Sequence, residues 1–265
     1  MNLAKIYTDE VYQNLRPLYA NWEPTKPIKL GDFGLMNDNF FNHLGNISAF
    51  KINFNVRESP AKDYKNFSSR GSVSVSTHDK GSFPINGIMN ASAALEINFS
   101  NEDAVFFNAA DCNYKMIDDK VRLGEEIMEK FHAQVWKHEW AIVTDLVQAG
   151  STTVAISGAK NAGLLLEAKG NVQQMALADA SIGLNVKNST NVGYQVISAD
   201  GLIPLIGLCK IQPRFIFWKT FSPVLRGGPQ ILRDSRQTVL KDEVQGAEDD
   251  LAGEPIETLY FGQLN

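Results

Sequence analysis

The chain has 265 residues, 44% of them hydrophobic and 21% charged, which is enough to bury a sizeable core in one domain or two. That balance excludes collagen-like and low-complexity classes, and two cysteines, Cys112 and Cys209, exclude a disulfide scaffold or a cysteine-rich zinc site. The net charge of −5 is unevenly placed: all 25 Lys and Arg lie at or before Lys241, and seven of the 30 acids follow it, so residues 1–241 carry +2 and the last stretch carries −7.

The opening "MNLAKIYTDEVYQNL" lacks the apolar core of a secretory signal, and no window approaches 18 apolar residues, so the expected location is cytoplasmic. Over residues 3–22, Leu3, Ile6, Tyr7, Val11, Leu15, Leu18, Tyr19 and Trp22 recur at three- and four-residue spacings. This predicts an N-terminal helix ended by Pro24 and Pro27. "KLGDFGLMNDNFFNHLGNI" carries the glycines and the Asn-Asp pair of tight turns between short strands. Its Asp32-Phe33-Gly34 triplet has no phosphate loop or catalytic loop to accompany it, so it does not mark a kinase.

From residue 47 the apolar period becomes two. "SAFKINFNV" puts Phe50, Ile52, Phe54 and Val56 on one face; "GSVSVSTH" alternates Val73 and Val75 with serines; "NASAALEINF" alternates Ala91, Ala93, Leu95, Ile97 and Phe99 with smaller or polar residues. A helix near 121–137 follows, with Leu123, Ile127, Phe131 and Val135 four residues apart, acids at its start and Lys137 and His138 at its end. "WAIVTDLVQA", "TTVAISG", "GLLLEAKG", "ASIGLNVK" and "VGYQVISA" then alternate again, and "GLIPLIGLCKI" and "RFIFW" are uniformly apolar, as core strands are. The expected fold class is α+β: a mostly antiparallel, twisted sheet with the two helices. The expected organisation is one body, 1–241, and an acidic tail, 242–265, whose tip holds Ile256, Leu259, Tyr260, Phe261 and Leu264.

No phosphate-binding glycine loop, dinucleotide fingerprint, H-E-x-x-H or G-x-S-x-G occurs. The histidines His43, His78, His132 and His138 lack metal-ligand spacing, and basic residues do not interleave with aromatics except around "RFIFWK". The expectation is therefore a protein that is not an enzyme, with no catalytic, metal or cofactor site and no nucleic-acid partner.

The order of features in residues 71–211 resembles the pore-forming domain of the gasdermin family. The resemblance begins at "GSVSVSTHDKGSFPINGIMNASAALEINF", continues through the helix "LGEEIMEKF" and the strand "WAIVTDLVQA", and ends with "TTVAISGAKNAGLLLEAKG" and "ASIGLNVKNSTNVGYQVI". It implies two membrane-inserting hairpins, with Ala91, Ala93, Leu95, Ile97 and Phe99 in the first and Ile182, Leu184, Val186, Val192, Tyr194 and Val196 in the second. It also implies lipid headgroup contacts at Lys210, Arg214, Lys219 and Arg226. The tail becomes an autoinhibitory latch through Ile256, Leu259, Tyr260 and Phe261. The implied partners are membrane lipids, further copies of the chain in a homo-oligomer, and an activating protease. A soluble binding or scaffold module for an apolar ligand or a protein partner is the alternative expectation.

Overall fold

The structure, a computed structural model, describes residues 2–79, 93–168, 184–198, 201–216 and 256–264. Helix α1 spans Leu3–Leu15, with the Asn2 side chain accepting the Lys5 amide at its start. It ends seven residues before the predicted limit because Pro17 offers no amide hydrogen and pushes Arg16 out of the helical region, to ψ 141°. Tyr19 and Ala20 form a short strand, β1, instead of a last helical turn.

Strands β2 (Asp32–Asn37) and β3 (Phe40–Asn46) form a hairpin that leads into a 3-10 turn, Ile47–Phe50. The predicted strand over "SAFKINFNV" is therefore corrected. Lys51 takes φ 61°, its amide closes the turn on the Ile47 and Ser48 carbonyls, and extended pairing starts only at β4 (Val56–Glu58). Strands β5 (Asp63–Ser68), β6 (Val73–Asp79), β7 (Ala93–Phe99) and β8 (Val105–Ile117) follow. β5 has no clear two-residue alternation, and sequence reasoning missed it.

Helix α2 spans Lys120–His132, capped by Asp119, whose carboxylate accepts the Arg122 amide at 2.9 Å. Its C-terminus lies five residues before the predicted one because Gln134 adopts φ 58°, which closes the helix. Leu123 and Ile127 are buried as the spacing predicts, but Val135 lies past the helix and is exposed. Lys130 and His132, rather than Lys137 and His138, occupy the last turn. Then come β9 (Trp140–Gln148), β10 (Ser151–Ser157), β11 (Ala162–Ala168), β12 (Leu184–Thr190), β13 (Val192–Ser198), β14 (Leu205–Ile216) and β15 (Ile256–Gln263).

Among the described residues two open sheets form, and the chain is a sheet-dominated α+β protein. One has eleven strands along the path β1-β14-β9-β8-β10-β13, with β15 on β14, β2 on β9, β3 on β2, and β4 and β5 on β8. The other has four strands in the order β12-β11-β7-β6. The registers defined for both sheets are antiparallel. Strand β8 divides its pairing: residues 105–110 pair with β10 and residues 113–116 with β9, β5 and β4 also pair with it, and Asp111 at φ 53° lies between the β10 and β9 ladders.

Three apolar clusters hold these elements. α1 buries Tyr7 and Val11 against Phe107, Val154 and Ile156 of the large sheet. α2 buries Leu123 and Ile127 in a second cluster with Ile142, Leu208 and Trp136. The third lies between the two sheets. The chain divides into two compact units, Met1–Ile211 with Phe261–Asn265, and Gln212–Tyr260. The smaller unit is described only at 212–216 of β14 and 256–260 of β15.

Candidate functional site

The four-stranded sheet consists of two hairpins lying side by side. In the first, Val73 faces Phe99 and the ladder runs to Asp79 opposite Ala93. In the second, Gly163 faces Thr190 and the ladder runs to Ala168 opposite Leu184. β7 and β11 join them, with Ile97 opposite Leu164 and Leu95 opposite Leu166.

Successive side chains on a strand point to opposite faces, so each hairpin sorts its residues by parity. Leu95, Ile97, Phe99, Leu164 and Leu166 are all at most 3% exposed and pack on Ala104, Phe106 and Ala155 of the large-sheet side. The opposite face carries Ser74, Ser76, Asn98, Glu96 and Glu167 beside the apolar Leu165 and Ala94, with Glu167 ion-paired to Lys187 of β12. All four links to the large sheet leave from one end of the small sheet. They are residues 69–72, 100–104, 158–161 and the single residue Asn191, adjoining the row Val73, Phe99, Ala162 and Thr190. At that end an open depression of about 510 Å³ is lined by Ser72, Ser74, Asn98, Phe99, Ser100 and Asn161 among others.

The predicted membrane-inserting residues divide. Leu95, Ile97 and Phe99 share one buried face. Ala93 and Leu184 hold register positions at the ends of β7 and β12, and Val186 is 42% exposed. Ala91 and Ile182 lie outside the described residues. The predicted second hairpin strand, 180–197, is not continuous. Asn191 at φ 54° turns the chain, so β12 stays with the small sheet while β13 pairs with β10 of the large one. Val192, Tyr194 and Val196 are consequently large-sheet residues; Tyr194 stacks on Trp22 with ring centroids 4.6 Å apart and Val196 packs on the α1 cluster.

Of the predicted headgroup residues, Lys210 is half-buried on β14 opposite Ala141, and Arg214 holds a β14 position. Lys219 and Arg226 lie outside the described residues, as do residues 242–255 of the tail. Of the predicted latch, Ile256 begins β15, Leu259 and Tyr260 are exposed, and Phe261 is half-buried. His43 sits 3.7 Å from Asp32 and His138 3.2 Å from Glu139, both near the surface. Among the described residues, no three His, Cys, Asp or Glu side chains converge as metal ligands would.

The seat of Phe261 is built by residues that sequence reasoning missed. Gly124 lies buried within α2, and a Cβ placed there would sit 3.0 Å from the Phe261 ring. Glycine is the least favourable ordinary residue in a helix interior; here its missing side chain leaves room for the ring. Phe261 and Leu264 both pack on the α2 cluster, and the Leu264 amide donates to the Leu208 carbonyl of β14 at 2.9 Å. β1 pairs with Leu205 and Ile206, so the stretch of β14 edge beyond it is the one that β15 occupies.

Beneath this seat, Lys120 on the first turn of α2 donates to both Asp145 oxygens, at 2.6 and 2.8 Å, and the Thr144 hydroxyl donates to Asp145 at 2.8 Å. Gly207 makes room for that carboxylate: a Cβ there would meet Asp145 Oδ2 at 2.6 Å. The Cys209 thiol, 3.5 Å from the Thr144 hydroxyl, is pushed up in pKa chiefly by burial. The ion pair ties α2 to β9 and so fixes the wall against which Phe261 rests.

No protein-family model, curated protein or solved structure matches this chain.

Proposed function

We propose that this is a latent membrane pore-forming protein of gasdermin type, held inactive by its C-terminal segment and released by proteolysis. The observation that carries the reading is the four-stranded sheet: two neighbouring hairpins whose central strands β7 and β11 bury one apolar face while the other face is mostly polar, joined by chain to the large sheet at one end. A membrane-spanning strand needs about 9–11 residues with lipid-facing and lumen-facing side chains in alternation. Thirteen residues, 80–92, separate β6 from β7, and fifteen, 169–183, separate β11 from β12. A seven-residue strand with up to half of the intervening residues gives about 12 residues of chain per strand, enough to span the hydrocarbon.

Insertion would uncover Leu95, Ile97, Phe99, Leu164 and Leu166. Taking such side chains from core to water costs about 1.5–3 kcal/mol each, on the order of 10 kcal/mol in all. Acyl chains offset that cost in a bilayer, but water does not, which supports a closed resting state that needs a trigger. Lys210, Arg214, Lys219 and Arg226 would supply attraction to anionic headgroups, worth about 1 kcal/mol per charge near the surface. Membrane lipids, further copies in a homo-oligomer and an activating protease are the partners this reading requires, with the chain moving from cytoplasm to membrane on activation. Cleavage near Gly246, within "QGAEDDLAGE", would free the segment carrying Phe261 from the body.

The test is dye release from liposomes containing anionic lipid, comparing the intact chain with one cut near Gly246. Release by the cut chain alone is expected; a folded, cut chain that leaks nothing overturns the reading. The second reading, a non-enzymatic binding or scaffold module, draws on the open depression at the small sheet's attached end. A stable small-molecule or protein adduct in native mass spectrometry, without membrane activity, would favour it.

A further inference from the structure

The seat of the C-terminal segment has the parts of a strand-accepting slot. One side is the β14 edge, where the Leu208 carbonyl receives the Leu264 amide. The other side is α2, notched at Gly124 for an aromatic ring. β1 closes one end by pairing with Leu205 and Ile206. Main-chain hydrogen bonds of this kind accept any extended segment, while pockets for alternate side chains select which one. Here the side chains that pack are Phe261, within β15, and Leu264, just past its end.

Nothing in this geometry requires the segment to come from the same molecule. Thirty-nine residues separate Ile216, where β14 ends, from Ile256, where β15 begins. Fully extended, a chain of that many residues measures at most about 130 Å, at ~3.3 Å per residue, so chain length alone does not confine the strand to its own body. A segment already complementary to the slot is carried by each further copy of the chain. We propose that the slot between β14 and α2 is an interaction site for the C-terminal strand of a second copy, so that two molecules exchange strands. The proposal stands apart from the pore reading, because it concerns who fills the slot and not what the emptied body does. In the intact chain the molecule's own strand competes intramolecularly, so the closed monomer dominates until that strand is lost or displaced. Exchange is the low-cost route to such pairing when the element is identical in both partners.

A complementation experiment tests it. One variant, Phe261→Ala with Leu264→Ala, keeps the slot and loses the strand's anchors. The other, Gly124→Leu, keeps the strand and fills the notch; Gly124→Ala, which adds a single methyl 3.0 Å from the ring and favours the helix, serves as a second notch-filling variant if the first does not fold. Each variant alone should be monomeric by light scattering, and an equimolar mixture should give a one-to-one dimer. A labelled peptide of residues 256–265 should bind the anchor-less chain saturably, at least tenfold more tightly than it binds that chain with Gly124→Leu added. A mixture that stays monomeric overturns the proposal. If the peptide binds while the mixture stays monomeric, the slot serves only short or tethered segments, and exchange between copies is equally overturned. Liposome leakage plays no part in these readouts, so this inference can fail while the pore reading survives, and the reverse.

Discussion

Replacing Phe261 with alanine should loosen the docked segment without unfolding the body. Truncating a fully buried Phe to Ala costs about 3–5 kcal/mol. Phe261 is half-buried, with one side of its ring on Gly124 and the α2 cluster, so about half of that range applies, near 2 kcal/mol. At about 1.4 kcal/mol per tenfold, the opened state of the segment becomes roughly 30 times more populated. The Leu264 amide reports on it directly, since its hydrogen goes to the Leu208 carbonyl. Native-state hydrogen exchange should therefore show Leu264 protection falling about 30-fold, while Val154 and Ile156, buried in the α1 cluster, keep theirs. Unchanged Leu264 protection would refute the seat as an energetic contact. An equal loss at Val154 would show that the segment is part of the global fold and not a separable latch.

Two further outcomes follow from buried polar groups. Burial raises the Cys112 thiol from 9.0 to about 11, so the folded state resists its ionisation while the unfolded chain loses the proton near pH 9. That stabilisation is complete below pH 9 and disappears as the pH rises from 9 to 11, a fall of about 2–3 kcal/mol; urea melts across this window should show it, and Cys112→Ala should make the fall smaller by that amount, the remainder coming from other buried groups such as Cys209. Replacing Lys120 with Met strands the Asp145 carboxylate, which is mostly buried, against Thr144 alone. Because Lys120 is itself about a third exposed, the expected loss is about 1–2 kcal/mol, below that of a fully buried pair, and a double variant with Asp145→Asn should recover part of it in chemical denaturation.

The sequence made the strands legible wherever one face is dry. In β11 the apolar alternation was plain, and the parity that placed Leu95, Ile97 and Phe99 together matches their burial, whereas β9 and β10 alternate in sequence yet are buried on both faces. Helix ends were less legible because single residues decide them: Pro17 ended α1 early, and Gln134 in the left-handed region ended α2 early. Lys51, also left-handed, turned a predicted strand into a 3-10 turn. Sheet membership was not legible at all. β12 and β13 read as one alternating run, and only the conformation of Asn191 assigns them to different sheets. The apolar tip of the tail was visible as composition, but its seat was not. That seat depends on a helix glycine more than 130 residues earlier in the chain, which no periodicity connects to Phe261.

The single-ended attachment of the small sheet has a further consequence, for evolution and for engineering. Val73 lies across the ladder from Phe99, and Gly163 from Thr190, so each hairpin leaves the large sheet and returns to it at neighbouring points, about 5 Å apart. Each is a cassette: deleting residues 73–99 or 163–190 and closing the gap with a short turn leaves every pairing of the large sheet formally intact. The chain can thus be viewed as an eleven-stranded platform bearing two interchangeable inserts. Their length is free to vary without rewriting the platform's pairing, provided that apolar side chains such as Leu95, Ile97 and Leu164 still cover Phe106 and Ala155.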